Sequence, residues 1–124
     1  MNQRTAFLMS LNLVYALLHP VYAQTESALQ VIIDLGRVNG QALACKEMTI
    51  AAQAKSLMLL HAPKTARFGD AFEDSTQQAF VAQLRSEMSC PDEVVMSAQL
   101  VSLKLELQAS LPNTTPTTPT SGTQ

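Results

Sequence analysis

The first 23 residues set the limits on what the rest of this chain can become. Arg4 gives a positively charged start, and Ala6–Leu18 (AFLMSLNLVYALL) is an apolar stretch interrupted only by Ser10 and Asn12. Pro20 is expected to break any helix there, and Val21-Tyr22-Ala23 ends on the small residue that a signal peptidase selects. The apolar run is about 13 residues long, whereas a bilayer-spanning helix needs roughly 20, so Met1–Ala23 reads as a cleaved secretory leader and not as a retained anchor. No membrane span is expected after cleavage. No cysteine lies near the cleavage point, which argues against a lipid anchor.

The other end is equally distinct. From Leu111 the chain reads LPNTTPTTPTSGTQ, where Pro112, Pro116 and Pro119 oppose a helix and the residues between them have little to bury. Residues 111–124 are therefore expected to be a disordered Thr/Pro-rich tail, a frayed terminus or a spacer. The folded domain is left with residues 24–110, about 87 in all, enough for one core and too few for two.

Export also sets the chemistry. Of eight basic and ten acidic residues the leader takes only Arg4, leaving seven against ten and a net charge of −3. That balance disfavours nucleic acid, which needs clustered Lys and Arg for its phosphates. Loss of His19 leaves His61 as the one histidine beside Cys45 and Cys90, too few ligands for most zinc sites. No metal or cofactor is expected. In an oxidising compartment Cys45 and Cys90 are expected to form a structural disulfide, since redox-active pairs usually sit as Cys-x-x-Cys and these are 45 residues apart.

Apolar spacing then predicts helices. The first runs from Gln24–Ser27 to about Cys45, with Leu29, Ile32, Ile33, Gly36, Gly40 and Leu43 on one face and Thr25 or Ser27 as a cap. Each glycine costs a helix about 1 kcal/mol against alanine. Either Gly36 and Gly40 admit a closely packed neighbour, or Asn39-Gly40 ends the helix. The first reading fits the longer apolar face. A second helix, Lys46–Leu60, carries Met48, Ala51, Ala52, Lys55, Met58 and Leu59. Leu57 and Leu60 widen that face, so this helix is expected to be well buried before Pro63 ends it. His61–Gly69 is read as a loop. A third helix, Asp70–Ser89, presents Phe72, Thr76, Ala79, Phe80, Leu84 and Met88, with Asp70, Glu73 and Asp74 in its first turn and Cys90-Pro91 as its end.

The last element carries two patterns. Val101, Leu103, Leu105 and Leu107 alternate with polar residues as in a strand, while Leu100, Leu103, Leu107 and Leu111 fit a helix capped by Asp92. No other segment offers a strand to pair with, so a helix is expected, with a strand paired across a dimer as the alternative. The fold class is thus all-α, a small three- to four-helix bundle stapled by one disulfide.

Little in the chain points to catalysis. His61 sits at a helix C-terminus, where the dipole favours positive charge, and Glu73-Asp74 and Asp92-Glu93 fall in expected first turns. No Gly-x-Ser-x-Gly elbow occurs. The one segment that looks like a surface is the loop holding Lys64, Arg67 and Phe68: either Phe68 anchors a protein partner between two cations, or it tucks beneath the loop. A chain 47% hydrophobic also has apolar surface that a homodimer would bury.

The expected function is that of an exported, periplasmic or secreted, non-enzymatic protein acting through protein contacts, such as an inhibitor, an immunity-type protein or an envelope accessory protein. A periplasmic chaperone is the alternative, and a small hydrolase ranks below both. In plan alone the chain is similar to small disulfide-stapled helical periplasmic proteins, immunity proteins and acid-stress chaperones among them. That likeness assigns no residue a role. The leader makes a direct prediction: N-terminal sequencing of the protein recovered from a secreting host reads Gln24-Thr25-Glu26, and a chain still beginning at Met1 rejects it.

Overall fold

A computed structural model describes residues 3–111, with side chains from Ala23 onward; the expected tail lies outside the described residues, apart from Leu111. Four helices follow one another: α1 Gln3–Ala44, α2 Met48–His61, α3 Ala66–Arg85 and α4 Glu93–Ser110. No strand occurs among the described residues, so the all-α expectation holds and residues 101–107 are helical.

α1 is the hub. α3 lies along one side of it, while α2 and α4 pack on its other side and on each other. The sequence explains why one helix can serve all three. At 3.6 residues per turn, Val38, Ala42, Val31, Leu35, Ala28, Asn39, Ile32, Gly36 and Gly40 sweep about 200° of its circumference, and all are buried. Gln30, Asp34, Arg37 and Gln41 form the remaining polar strip, held by an Arg37–Asp34 pair at 2.5 Å. The helix backbone also continues through Pro20, contrary to the expected break. The fixed φ of proline lies within the helical range, and the chain stays helical there at the loss of one backbone donor.

Gly36 and Gly40 face α3. A methyl group at Gly36 would overlap the Ser75 hydroxyl and approach the Phe72 carbonyl oxygen to 2.5 Å. One at Gly40 would overlap the Thr76 carbonyl and lie 2.9 Å from the Phe80 nitrogen. The two backbones therefore meet across a seam with no room for Cβ atoms. Polar groups on the same seam are paired: Asn39 Nδ2 donates to Thr76 Oγ1 at 3.1 Å, and the Ser75 hydroxyl donates back into its own helix at Ala71 O, 2.7 Å away.

α1 ends at Ala44, beyond Asn39-Gly40. Lys46 takes φ 63°, Glu47 N donates to Ala42 O at 2.8 Å, and Lys46 N donates to Leu43 O at 3.2 Å. This is a Schellman ending, with lysine at the left-handed position that glycine usually fills. The strain, about 1–2 kcal/mol for an L-residue, is tolerated beside the staple. Cys45 and Cys90 are bonded, with Cα atoms 5.7 Å apart. Closing that loop removes roughly 4 kcal/mol of unfolded-chain entropy.

Several boundaries differ from the sequence reading. α3 starts at Ala66, four residues before Asp70, because Thr65 takes the extended N-cap conformation and Gly69 N donates to Thr65 O. The connection before it is therefore Ala62–Thr65, and Asp70, Glu73 and Asp74 lie on the exposed side of α3 beyond its first turn. α3 ends at Arg85, short of Ser89, where Ser86 turns extended and its hydroxyl bonds Gln83 O at 2.9 Å. That exit frees the chain to bring Cys90 back to Cys45. Leu84 and Met88, read as core, are exposed at the far end.

α2 is also less buried than expected. Ile50, Ala51 and Ala54 face inward, but Met48, Leu59 and Leu60 are exposed. The helix has neighbours on one side, α1 and α4, so a wide apolar face exceeds the surface available to cover it. In α4 the inward stripe is Met96, Leu100, Leu103 and Leu107, and Asp92 Oδ1 accepts from Val94 N at 2.9 Å.

The glycine seam makes a paired prediction. Gly40→Ala should lower stability by about 1–3 kcal/mol, because backbone atoms of α3 must retreat. Gly69→Ala, whose added methyl meets nothing, should raise it by about 0.5–1 kcal/mol through helix propensity. Urea unfolding midpoints decide both, and equal shifts in one direction reject the seam as the cause.

Candidate interaction surface

Of the segment singled out in the sequence, Phe68 belongs to the core, while Lys64 and Arg67 are exposed and make contacts within the chain. Phe68 is 4% exposed and packs in the core with Phe72. It stands in the first turn of α3, where the helical register turns it inward, so the reading of Phe68 as a partner anchor is corrected: its ring is not available to a partner. The Arg67 guanidinium pairs with Glu26 Oε1 at 2.5 Å and fastens the start of α3 to α1. Lys64 Nζ donates to the Leu59 carbonyl, one of the open acceptors in the last turn of α2. The signal for this arrangement was present in the chain: Phe68 and Phe72 are four residues apart behind Thr65, a good capping residue.

His61 is the last residue of α2 and is half-buried. Among the described residues no group of three or more His, Cys, Asp or Glu side chains comes together to hold a metal ion. No described helix is long and apolar enough to cross a membrane.

What the surface offers instead is large apolar side chains. They fall into three groups: Met48, Leu59 and Leu60 on α2; Leu84 and Met88 at and beyond the end of α3; and Val94, Val95, Val101 and Leu105 on α4. A groove of about 730 Å³ runs between α1 and α3 on the side away from α2, lined by Ile33, Arg37, Gln41, Ala79, Ala82 and Met88 among others. Gln41 Nε2 donates to Gln83 Oε1 at 3.1 Å within it. Its lining mixes the aliphatic Ile33, Ala79, Ala82 and Met88 with the polar Arg37, Gln41, Asp74 and Gln83.

No protein family, curated protein or solved structure matches the chain.

The reassignment of Lys64–Phe68 makes a prediction. Phe68→Ala should cost about 3–5 kcal/mol, a large part of the total stability of a domain this size. Arg67→Ala breaks an ion pair whose side chains are 52% and 63% exposed and should cost less than about 1 kcal/mol. Chemical denaturation of the two variants tests this, and a stable, native-like Phe68→Ala protein contradicts it.

Proposed function

We propose that this is an exported, periplasmic or secreted protein without catalytic activity that works by binding another protein. The observation that carries the reading is the combination of a stapled helical scaffold with nine large apolar side chains exposed among the described residues. Eight of them stand on α2, α3 and α4 and Met88 just beyond α3, and apolar surface gathered in groups is where proteins meet. The Cys45–Cys90 bond supports export, since it suits an oxidising compartment.

Affinity capture by the purified protein, disulfide intact, from the envelope fraction of its own cells tests the reading. One protein retained at fixed stoichiometry through gel filtration is the expected result. Retention of many unfolded clients at variable ratios would favour a chaperone instead. Turnover of ester or peptide substrates by the purified chain would overturn the non-enzymatic assignment.

A further inference from the structure

The segment that joins α3 to α4 has little to hold it. Residues 86–92 are not helical and none of them is buried. Ser86 belongs with the end of α3, through its bonds to Ala82 O and Gln83 O, and Asp92 caps α4. Between those two, residues 87–91 make one hydrogen bond among the described residues, from Gln83 Nε2 to Met88 O at 3.4 Å. Their covalent tie to the end of α1 is the Cys45–Cys90 bond. The two sulfurs are unequally placed, because Cys90 is exposed and Cys45 is half-buried. The same segment also borders the groove between α1 and α3: Ser86 and Met88, which follow α3, complete its lining beside Gln41 and Gln83.

We propose that the Cys45–Cys90 bond is a redox switch. A dithiol of the Cys-x-x-Cys class, as carried by thioredoxin-like oxidoreductases, reduces it, frees residues 87–91 and opens that end of the groove. The pair is here the substrate of thiol exchange and not its catalyst, so its wide spacing in the chain is no obstacle. Access decides the order of events. The first thiolate of the dithiol attacks the exposed Cys90 Sγ, a mixed disulfide forms, and Cys45 leaves as a thiolate that takes a proton from water. The second thiolate of the dithiol then attacks its own sulfur in the mixed disulfide, and Cys90 leaves in the same way. Two electrons pass from the dithiol to the chain, which ends with two thiols while the dithiol ends as a disulfide. The helices stay in place, because the hydrophobic core draws no residue from 86–92. The inference rests on the bond and its surroundings, and it stands whether or not the groove is where another protein binds.

Thiol counting on the purified oxidised protein tests it, after incubation without denaturant with dithiothreitol and, separately, with a reduced thioredoxin-like enzyme. Both reductants should release the Cys45 and Cys90 thiols. On reduction, NMR order parameters at residues 87–90 should fall from about 0.85 to below about 0.6, while those of the four helices and the helical circular-dichroism signal stay unchanged. Cys45→Ser with Cys90→Ser should reproduce the low values. An enzyme lacking its second cysteine should be trapped on Cys90, as peptide mapping of the adduct will show. A bond that opens only in denaturant, a reduced chain that loses its helices, or residues 87–90 that stay as ordered after reduction overturns the proposal. Reduction by dithiothreitol but not by the enzyme overturns the assignment of the reductant, and trapping on Cys45 overturns the order of attack.

Discussion

The arrangement depends on the contact between the backbones of α1 and α3 at Gly36 and Gly40. Two glycines in the middle of a helix weaken it, and a helix rich in them needs a return from packing. Here that return is the approach of α3, with the Phe72, Ser75 and Thr76 turn lying where Cβ atoms would otherwise stand. Because α3 sits so close on this side, α1 can still offer Val31, Leu35, Val38 and Ala42 to α2 and α4 on its other side. A hub helix buried over more than half its circumference is what lets a short chain make one core from four helices.

The staple and the turn beside it hold the far end of that hub. Lys46 accepts a left-handed conformation so that the chain can reverse within three residues, and Cys45 is tied to the segment that follows α3. The termini of α1, α2 and α3 are thus held by two local contacts, a Schellman ending and Lys64–Leu59, and two long-range ones, the Arg67–Glu26 pair and the disulfide. Lys64 and Arg67, two exposed cations, each take part in one of these contacts.

Much of the fold was legible from residues alone. An all-α bundle of three to four helices, the stripe Leu100, Leu103 and Leu107 and the Asp92 cap follow from local rules, and the pairing of two distant cysteines follows from there being only two. The start of α3 did not, because Gly69 and three acids pointed to a later helix start while Thr65 and the Phe68/Phe72 pair marked the true one. The candidate surface was less legible still. Leu60, Leu84 and Met88 carry the same apolar signal as core residues, and nothing local says that no helix covers them. The strand-like alternation of Val101–Leu107 has a simple origin: Leu103 and Leu107 turn inward while Val101 and Leu105 turn outward, so two helical stripes on opposite faces interleave into a period of two.

By itself, the sequence determined the all-α class, where an oxidised staple could close and that a single core was all the chain could build. These are properties of neighbouring residues and of composition, set by backbone propensity, capping and the amount of apolar surface. The tertiary structure decided which apolar faces were covered, that Phe68 belongs to the core, and that α1 stands at the centre. Periodicity reports that a helix has an apolar face; whether another element lies against it depends on contacts between residues far apart in the chain.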